Sequence, residues 1–145
     1  MTAFLFDASA IMVIAKKHGE KASKILEGGA MLDLTLYELG NAIWKIYKLI
    51  EKSGKSNALD AAHQAYYLID IMRVLRVEGQ EGFMNTMKVA LDGGLSYYDA
   101  AYLHVAAKDG LTLVTEDHVL LKRAGEVGVT CLQASKADPE KYTQM

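Results

Sequence analysis

The chain has 145 residues, 51% of them hydrophobic, a formal net charge of −2 and one cysteine. That suffices for one domain with a full core and not for a second; the charge offers no global positive field to recruit nucleic acid, and the lone Cys131 excludes an intramolecular disulfide. The apolar runs are broken by Lys, Asp or Gly short of the ~20 residues that a bilayer span needs, and the N-terminus lacks a signal-peptide pattern, so a cytoplasmic protein without a membrane segment is expected.

Residues 2–6 read as a buried strand that ends on Asp7, since a short apolar run leading into a helical pattern is the mark of an inner parallel strand. Ser9 to Lys17 then reads as a short helix ended near Gly19, and Glu20 to Leu26 as a second, stopped by Gly28 and Gly29. Ala30 to Leu34 is a brief apolar strand. Thr35 is expected to open a helix with its apolar stripe at Leu36, Leu39, Ile43, Tyr47 and Ile50, and with Lys45, Lys48 and Lys52 off that stripe. After a polar break at 53–56, Asn57 is expected to cap a long helix through Leu68 and Met72. Val74 to Val77 reads either as a short strand or as the end of that helix. Gln80 to Leu91 is helical and stops at Gly93-Gly94, Ser96 opens a helix closed by Gly110, and Leu111 to Thr115 is a strand. Asp117 to Ala124 is a short helix and Val129 to Leu132 a last strand. Residues 1–133 thus form one α/β domain with a central, mostly parallel sheet flanked by helices, and 134–145 a polar, loosely held tail.

Four acids fall where this topology would gather them. Asp7 follows the first strand, Glu38 and Asp99 lie in first turns of helices, and Asp117 follows the 111–115 strand. Junctions at the carboxyl edge of a parallel sheet converge on one crevice. Like charges ~4 Å apart repel by roughly 4 kcal/mol per pair at an effective dielectric of 20, so such a quartet calls for a cation. With no histidine pair or thiolate among the four, the fitting ion is Mg²⁺ or Mn²⁺.

A plainer explanation covers part of this pattern. Thr35 with Glu38, and Ser96 with Asp99, match a capping box or its aspartate variant, and Asp117 fits an acid favoured in a first helical turn. Capping does not explain Asp7, whose burial at the end of a strand would be costly without a partner.

The ordered set Asp7-Ala8-Ser9, Glu38-Leu39-Gly40-Asn41-Ala42, Ser96 to Leu103 (SYYDAAYL) and Leu113 to Asp117 (LVTED) resembles the PIN-domain proteins of the VapC toxin type over nearly the whole chain. The resemblance implies a PIN-like fold and a Mg²⁺- or Mn²⁺-dependent endoribonuclease, toxic unless a VapB-type antitoxin blocks its site, and a homodimer. It implies Asp7, Glu38, Asp99 and Asp117 as the catalytic, metal-holding quartet, with Ser9 and Thr115 as supporting hydroxyls and Asn41 as the polar residue after the glutamate. Glu116 departs from the pattern, as a fifth acid that joins the site or points away. The chemistry expected is in-line attack of a metal-activated water on phosphorus, leaving a 5′-phosphate and a 3′-hydroxyl.

Lys45, Lys48, Lys52 and Lys55, with Lys16 and Lys17 across from them, could line an RNA path, although such lysines are more commonly a helix's solvated face. His118 is placed to touch substrate. Trp44 and the pairs Tyr66-Tyr67 and Tyr97-Tyr98 could stack on bases or build a dimer interface, although core or half-buried packing is the expectation, and Cys131 is expected to be an inert buried thiol. Two rivals stand beside the nuclease: a partner-binding module that keeps the fold without the chemistry, and a phosphoryl-transfer or receiver-like protein. The second is disfavoured because Ser9 stands where a phosphatase of the haloacid dehalogenase type needs its second acid, and because the adjacent acidic pair of receivers is missing.

Overall fold

The structure, a computed structural model, describes residues 3–52 and 54–142. Strands Phe4–Phe6 (β1), Ala30–Leu32 (β2), Arg73–Leu75 (β3), Thr112–Thr115 (β4) and Cys131–Gln133 (β5) form one sheet in the order β3-β2-β1-β4-β5, with every pair parallel. Helices Ala8–His18 (α1), Ala22–Leu26 (α2), Asp33–Lys45 (α3), Lys55–Ile69 (α4), Gly79–Gly93 (α5), Tyr97–Asp109 (α6) and His118–Ala124 (α7) supply the crossovers. The chain leaves β1 toward β2 on one side and reaches β4 on the other, so the order of strands reverses between β1 and β4. Ligand crevices form outside the carboxyl ends of strands at such a reversal.

Alternation along the strands feeds two cores. Phe6, Met31 and Val114 face Ile11, Ile14, Leu26 and Leu39, while Leu5, Leu32 and Leu113 face Tyr102, Leu103, Leu120 and Val129. Helix α6 buries Ala100, Ala101, Tyr102, Leu103, Val105 and Ala106, nearly all of its circumference, which is why its pattern carries so little amphipathic signal. Gly110 ends it in the left-handed conformation (φ 65°). Gly29 is required for space: a Cβ there would stand 2.6 Å from the Phe6 ring and 3.0 Å from the Leu26 carbonyl oxygen.

Several expectations are corrected. Helix α3 starts at Asp33, two residues before Thr35, because Thr35 sits one turn in and its hydroxyl accepts the Leu32 N–H at 3.0 Å. Glu38 therefore lies in the second turn, and the proposed Thr35–Glu38 capping box does not exist. The stripe on α3 does not run on as core. Leu39 is buried, but Leu36 and Ile50 are exposed, and Ile46–Ile50 winds as a π-helical segment that shifts the register. Helix α4 is entered through Gly54, so Asn57 lies inside it; Ser53, part of the expected polar break, lies outside the described residues. Trp44, Tyr66, Tyr67 and Tyr98 are exposed rather than packed, and only Tyr97 of those pairs finds a ring partner, Phe83 at 5.2 Å.

The described part of the tail is docked. Ala134, Ala137 and Tyr142 are buried, and the Tyr142 ring meets Phe4 and Phe6 at 5.4 and 5.7 Å. The Lys17 ammonium donates to the Ser135 carbonyl at 2.5 Å. Three apolar side chains spaced through a polar segment were too sparse to mark it as core. Among the described residues no helix is long and apolar enough to cross a membrane.

Candidate active site

Asp7 stands where β1 ends and α1 begins, and it is the N-cap of α1, with φ −83° and ψ 175°. Its burial is met by three protein donors. Oδ1 accepts from the Ser9 hydroxyl at 2.7 Å and from the Ala10 N–H at 2.8 Å, and Oδ2 accepts from the Thr115 hydroxyl. Capping thus does account for part of Asp7, contrary to the expectation, because the helix begins at Ala8 and brings the Ala10 N–H within reach. Burial nevertheless holds its carboxyl above the ordinary 3.8; the hydrogen bonds pull it down, and the charge of Asp117 pushes it up again.

The supporting hydroxyls tie β1 to β4. Ser9 Oγ accepts the Glu116 N–H at 3.0 Å and lies 3.4 Å from Thr115 Oγ1, which accepts the Asp117 N–H at 3.0 Å. Asp117 caps α7, its Oδ1 accepting from Val119 N–H at 2.8 Å and Leu120 N–H at 3.3 Å. Glu116 points away: Ser135 N–H and hydroxyl bind its carboxylate at 2.6 and 2.7 Å, and Gln133 at 3.4 Å. Burial alone would raise Glu116, but those donors, with His118 nearby, hold it below the ordinary range.

Across the crevice, Ser96 Oγ caps α6 by accepting the Asp99 N–H at 3.1 Å, which fixes the first turn that carries Asp99. Glu38 Oε1 accepts from the Tyr102 hydroxyl at 2.5 Å, and Tyr102 Oη lies 2.6 Å from Thr35 Oγ1. Burial raises both Glu38 and Asp99. Glu38 is raised further by Asp7 and Asp99, and Asp99 by Asp117. The electrostatic pairs Asp7–Asp117, Asp117–Asp99, Asp99–Glu38 and Glu38–Asp7 close a ring, so each acid lies in the field of two others.

As they stand, no three His, Cys, Asp or Glu side chains among the described residues enclose an ion. The donor set still suits a hard cation. It is carboxylate throughout, and burial together with mutual repulsion leaves Asp7, Glu38 and Asp99 short of positive charge. Glu38, Asp99 and Asp117 are half-buried.

Asn41 is exposed one turn beyond Glu38 on α3, and Lys45 and Lys48 are exposed farther along the same helical arm. His118 is exposed at the start of α7, beside Glu116. A groove of about 890 Å³ runs between α1, α3 and α4, lined among others by Ile11, Ala15, Lys16, Ile43, Tyr47 and Leu68. Cys131 is half-buried, and burial and the Asp7 charge push its thiol up to about 11, which keeps it unreactive. Thr35 and Tyr102 are the site residues that sequence reasoning missed. The available signal was a hydroxyl-bearing ring at i+3 from Asp99, flanked by Ala100, Ala101 and Leu103.

A family model for the PIN domain matches residues 4–126. The chain is 37% identical over 130 residues to the protein named Exonuclease VapC9 from Pyrobaculum aerophilum, spanning 89% of this chain and 92% of that one. It is 30% identical over 125 residues to Ribonuclease VapC3 of the same organism, spanning 81% and 91%. The crystal structure of PAE2754 from Pyrobaculum aerophilum superposes with a TM-score of 0.79 at 31% identity, covering 99% of this chain and 91% of that one. A chain of a toxin–antitoxin complex from Klebsiella pneumoniae shares the fold, with a TM-score of 0.61 at 14% identity over 91% of this chain and 98% of that one.

Proposed function

The chain belongs to the PIN-domain family, in its VapC branch, and from that premise we propose that it is a Mg²⁺- or Mn²⁺-dependent endoribonuclease toxin that works in the cytoplasm and is restrained by a VapB-type antitoxin. The proposal is supported by the gathering of four carboxyls, Asp7, Glu38, Asp99 and Asp117, each in the field of two others, at the edge where the strand order reverses. Asp7 and Asp99 are the direct metal ligands, and Asp117 and Glu38 serve as further ligands or orient water. When bound, the ion lowers the pKa of a water and offsets charge on the phosphate and the leaving 3′ oxygen. Ser9 and Thr115 donate to the two carboxylate oxygens of Asp7 and so fix its rotamer. Lys45, Lys48 and His118 contact the RNA backbone, and the protein acts as a homodimer.

One relative is named an exonuclease and another a ribonuclease, so the alternative is release of nucleotides from RNA ends. The test incubates linear and circular RNA pools with wild type, Asp7→Asn and Asp99→Asn, in Mg²⁺, in Mn²⁺ and in chelator. Opening of circles by wild type alone, abolished by chelator, is the expected result. Trimming restricted to linear RNA selects the exonuclease. Cleavage that survives chelation and both substitutions rejects the proposed site, and metal binding without any cleavage favours a partner-binding module.

A further inference from the structure

Glu38 differs from the other three acids in having neither a capping amide nor a neighbour in sequence to hold it; its described partner is a phenol 64 residues away. Behind that contact lies an ordered series of donors. The Leu32 N–H, in the last residue of β2, donates to Thr35 Oγ1 at 3.0 Å. Tyr102 has a single hydroxyl proton, and Glu38 Oε1 at 2.5 Å takes it. The Thr35 proton must therefore go to Tyr102 Oη, at 2.6 Å. With Glu38 ionised and so only able to accept, the donors run in the direction Leu32 → Thr35 → Tyr102 → Glu38.

The relay is buried: Thr35 is 0% and Tyr102 1% exposed. Water cannot substitute for either hydroxyl, and a half-satisfied polar series in such a place is costly. The bond also commits Oε1 of Glu38 to the protein and leaves Oε2 without a described protein donor. A carboxylate held through one oxygen presents the other at a defined position, whereas a free one rotates or grips an ion with both.

We infer that Tyr102 and Thr35 are positioning residues that anchor Glu38 through Oε1 to the end of β2, so that it offers a single oxygen to the ion or water of the active site. The inference rests on the nuclease reading for its functional meaning, but its geometry is independent of it. Outer partners of this kind commonly contribute about 10–100-fold in metal affinity or activity.

Tyr102→Phe removes the hydroxyl and keeps the ring, Thr35→Val breaks the relay one step back, and Thr35→Ser restores the hydroxyl. Each is made in wild type and in Glu38→Gln, and Mn²⁺ affinity without RNA, kcat and KM for RNA, and the melting temperature in chelator are measured. Tyr102→Phe is expected to weaken Mn²⁺ binding and lower kcat about tenfold with KM nearly unchanged. Thr35→Val follows in the same direction, Thr35→Ser recovers, and none of these losses persists in the Glu38→Gln background. Unchanged Mn²⁺ affinity and kcat in Tyr102→Phe overturn the inference, as does an equal loss with and without Glu38. If wild type neither binds Mn²⁺ nor cuts RNA, the nuclease reading fails instead. The melting temperatures in chelator then decide the anchor alone: non-additive effects of Tyr102→Phe and Glu38→Gln uphold it and additive effects remove it.

Discussion

On the β1–β4 side of the crevice, Asp7 and Asp117 are held by amides and hydroxyls from strand ends and first helical turns; on the α3–α6 side, Glu38 depends on one phenol brought by another helix. The first wall lies along the β1–β4 seam, where Ser9, Thr115 and the two caps stand within three residues of the strand ends. The second exists only when α3 and α6 dock. Short-range hydrogen bonding can thus prepare one half of a charged site, but the other half is only as well placed as the packing of two helices.

The strongest way to break this comparison is at its rigid end. Asp7→Asn is expected to lower RNA cleavage by about 10³-fold or more, the size expected when several kcal/mol of metal-based stabilisation is lost, with the far-ultraviolet circular dichroism spectrum unchanged. Glu38→Gln should cost less, and equal losses at the two positions would erase the distinction between the walls.

Next comes the charge they share. The folded-state pKa values of Asp7, Glu38 and Asp99 lie above the ordinary 3.8 and 4.5, so the folded chain binds those protons more tightly than the unfolded one. The stability these three groups contribute in chelator is therefore fully present at and below the ordinary values and is lost as pH rises through the raised ones, while Glu116, held below its ordinary range, contributes in the opposite direction. Thermal melts from pH 4 to 7 should show this decline, and Asp99→Asn should flatten it. Mn²⁺ at a hundred times its Kd should add about 2.7 kcal/mol at neutral pH. The same pH dependence in wild type and in Asp99→Asn would contradict the predicted direction.

Smaller is Thr115→Val, which unpairs Asp7 Oδ2 and the Asp117 N–H at once. It should cost about 2 kcal/mol in urea unfolding. Smallest is Glu116→Ala, which releases Ser135 and should cost about 1 kcal/mol while making the tail more susceptible to limited proteolysis, with cleavage of RNA reduced less than by any change in the quartet.

Legibility in the sequence followed the same division. β1 ending on Asp7, the Ser96 cap before Asp99 and the stop at Gly110 depend on neighbours a few positions apart, and each was readable. The start of α3 was misplaced because Thr35 has the residue type of a cap but acts one turn in, held by Tyr102, 67 residues away. The π-helical segment at Ile46–Ile50 disrupts the 3.6-residue period on which a continuous apolar stripe was expected, and Ile50 lies outside the core. Glu116 looked like a candidate fifth acid because nothing near it announces Ser135 as its partner.

Gly29 has an effect out of proportion to its chemistry. A methyl group at that position would press on the ring of Phe6, which is itself confined by Phe4 and Tyr142 and immediately precedes Asp7 in the chain. A screen for survivors of the toxin should therefore recover changes at codon 29 together with those at the acids, although the glycine itself carries no functional group.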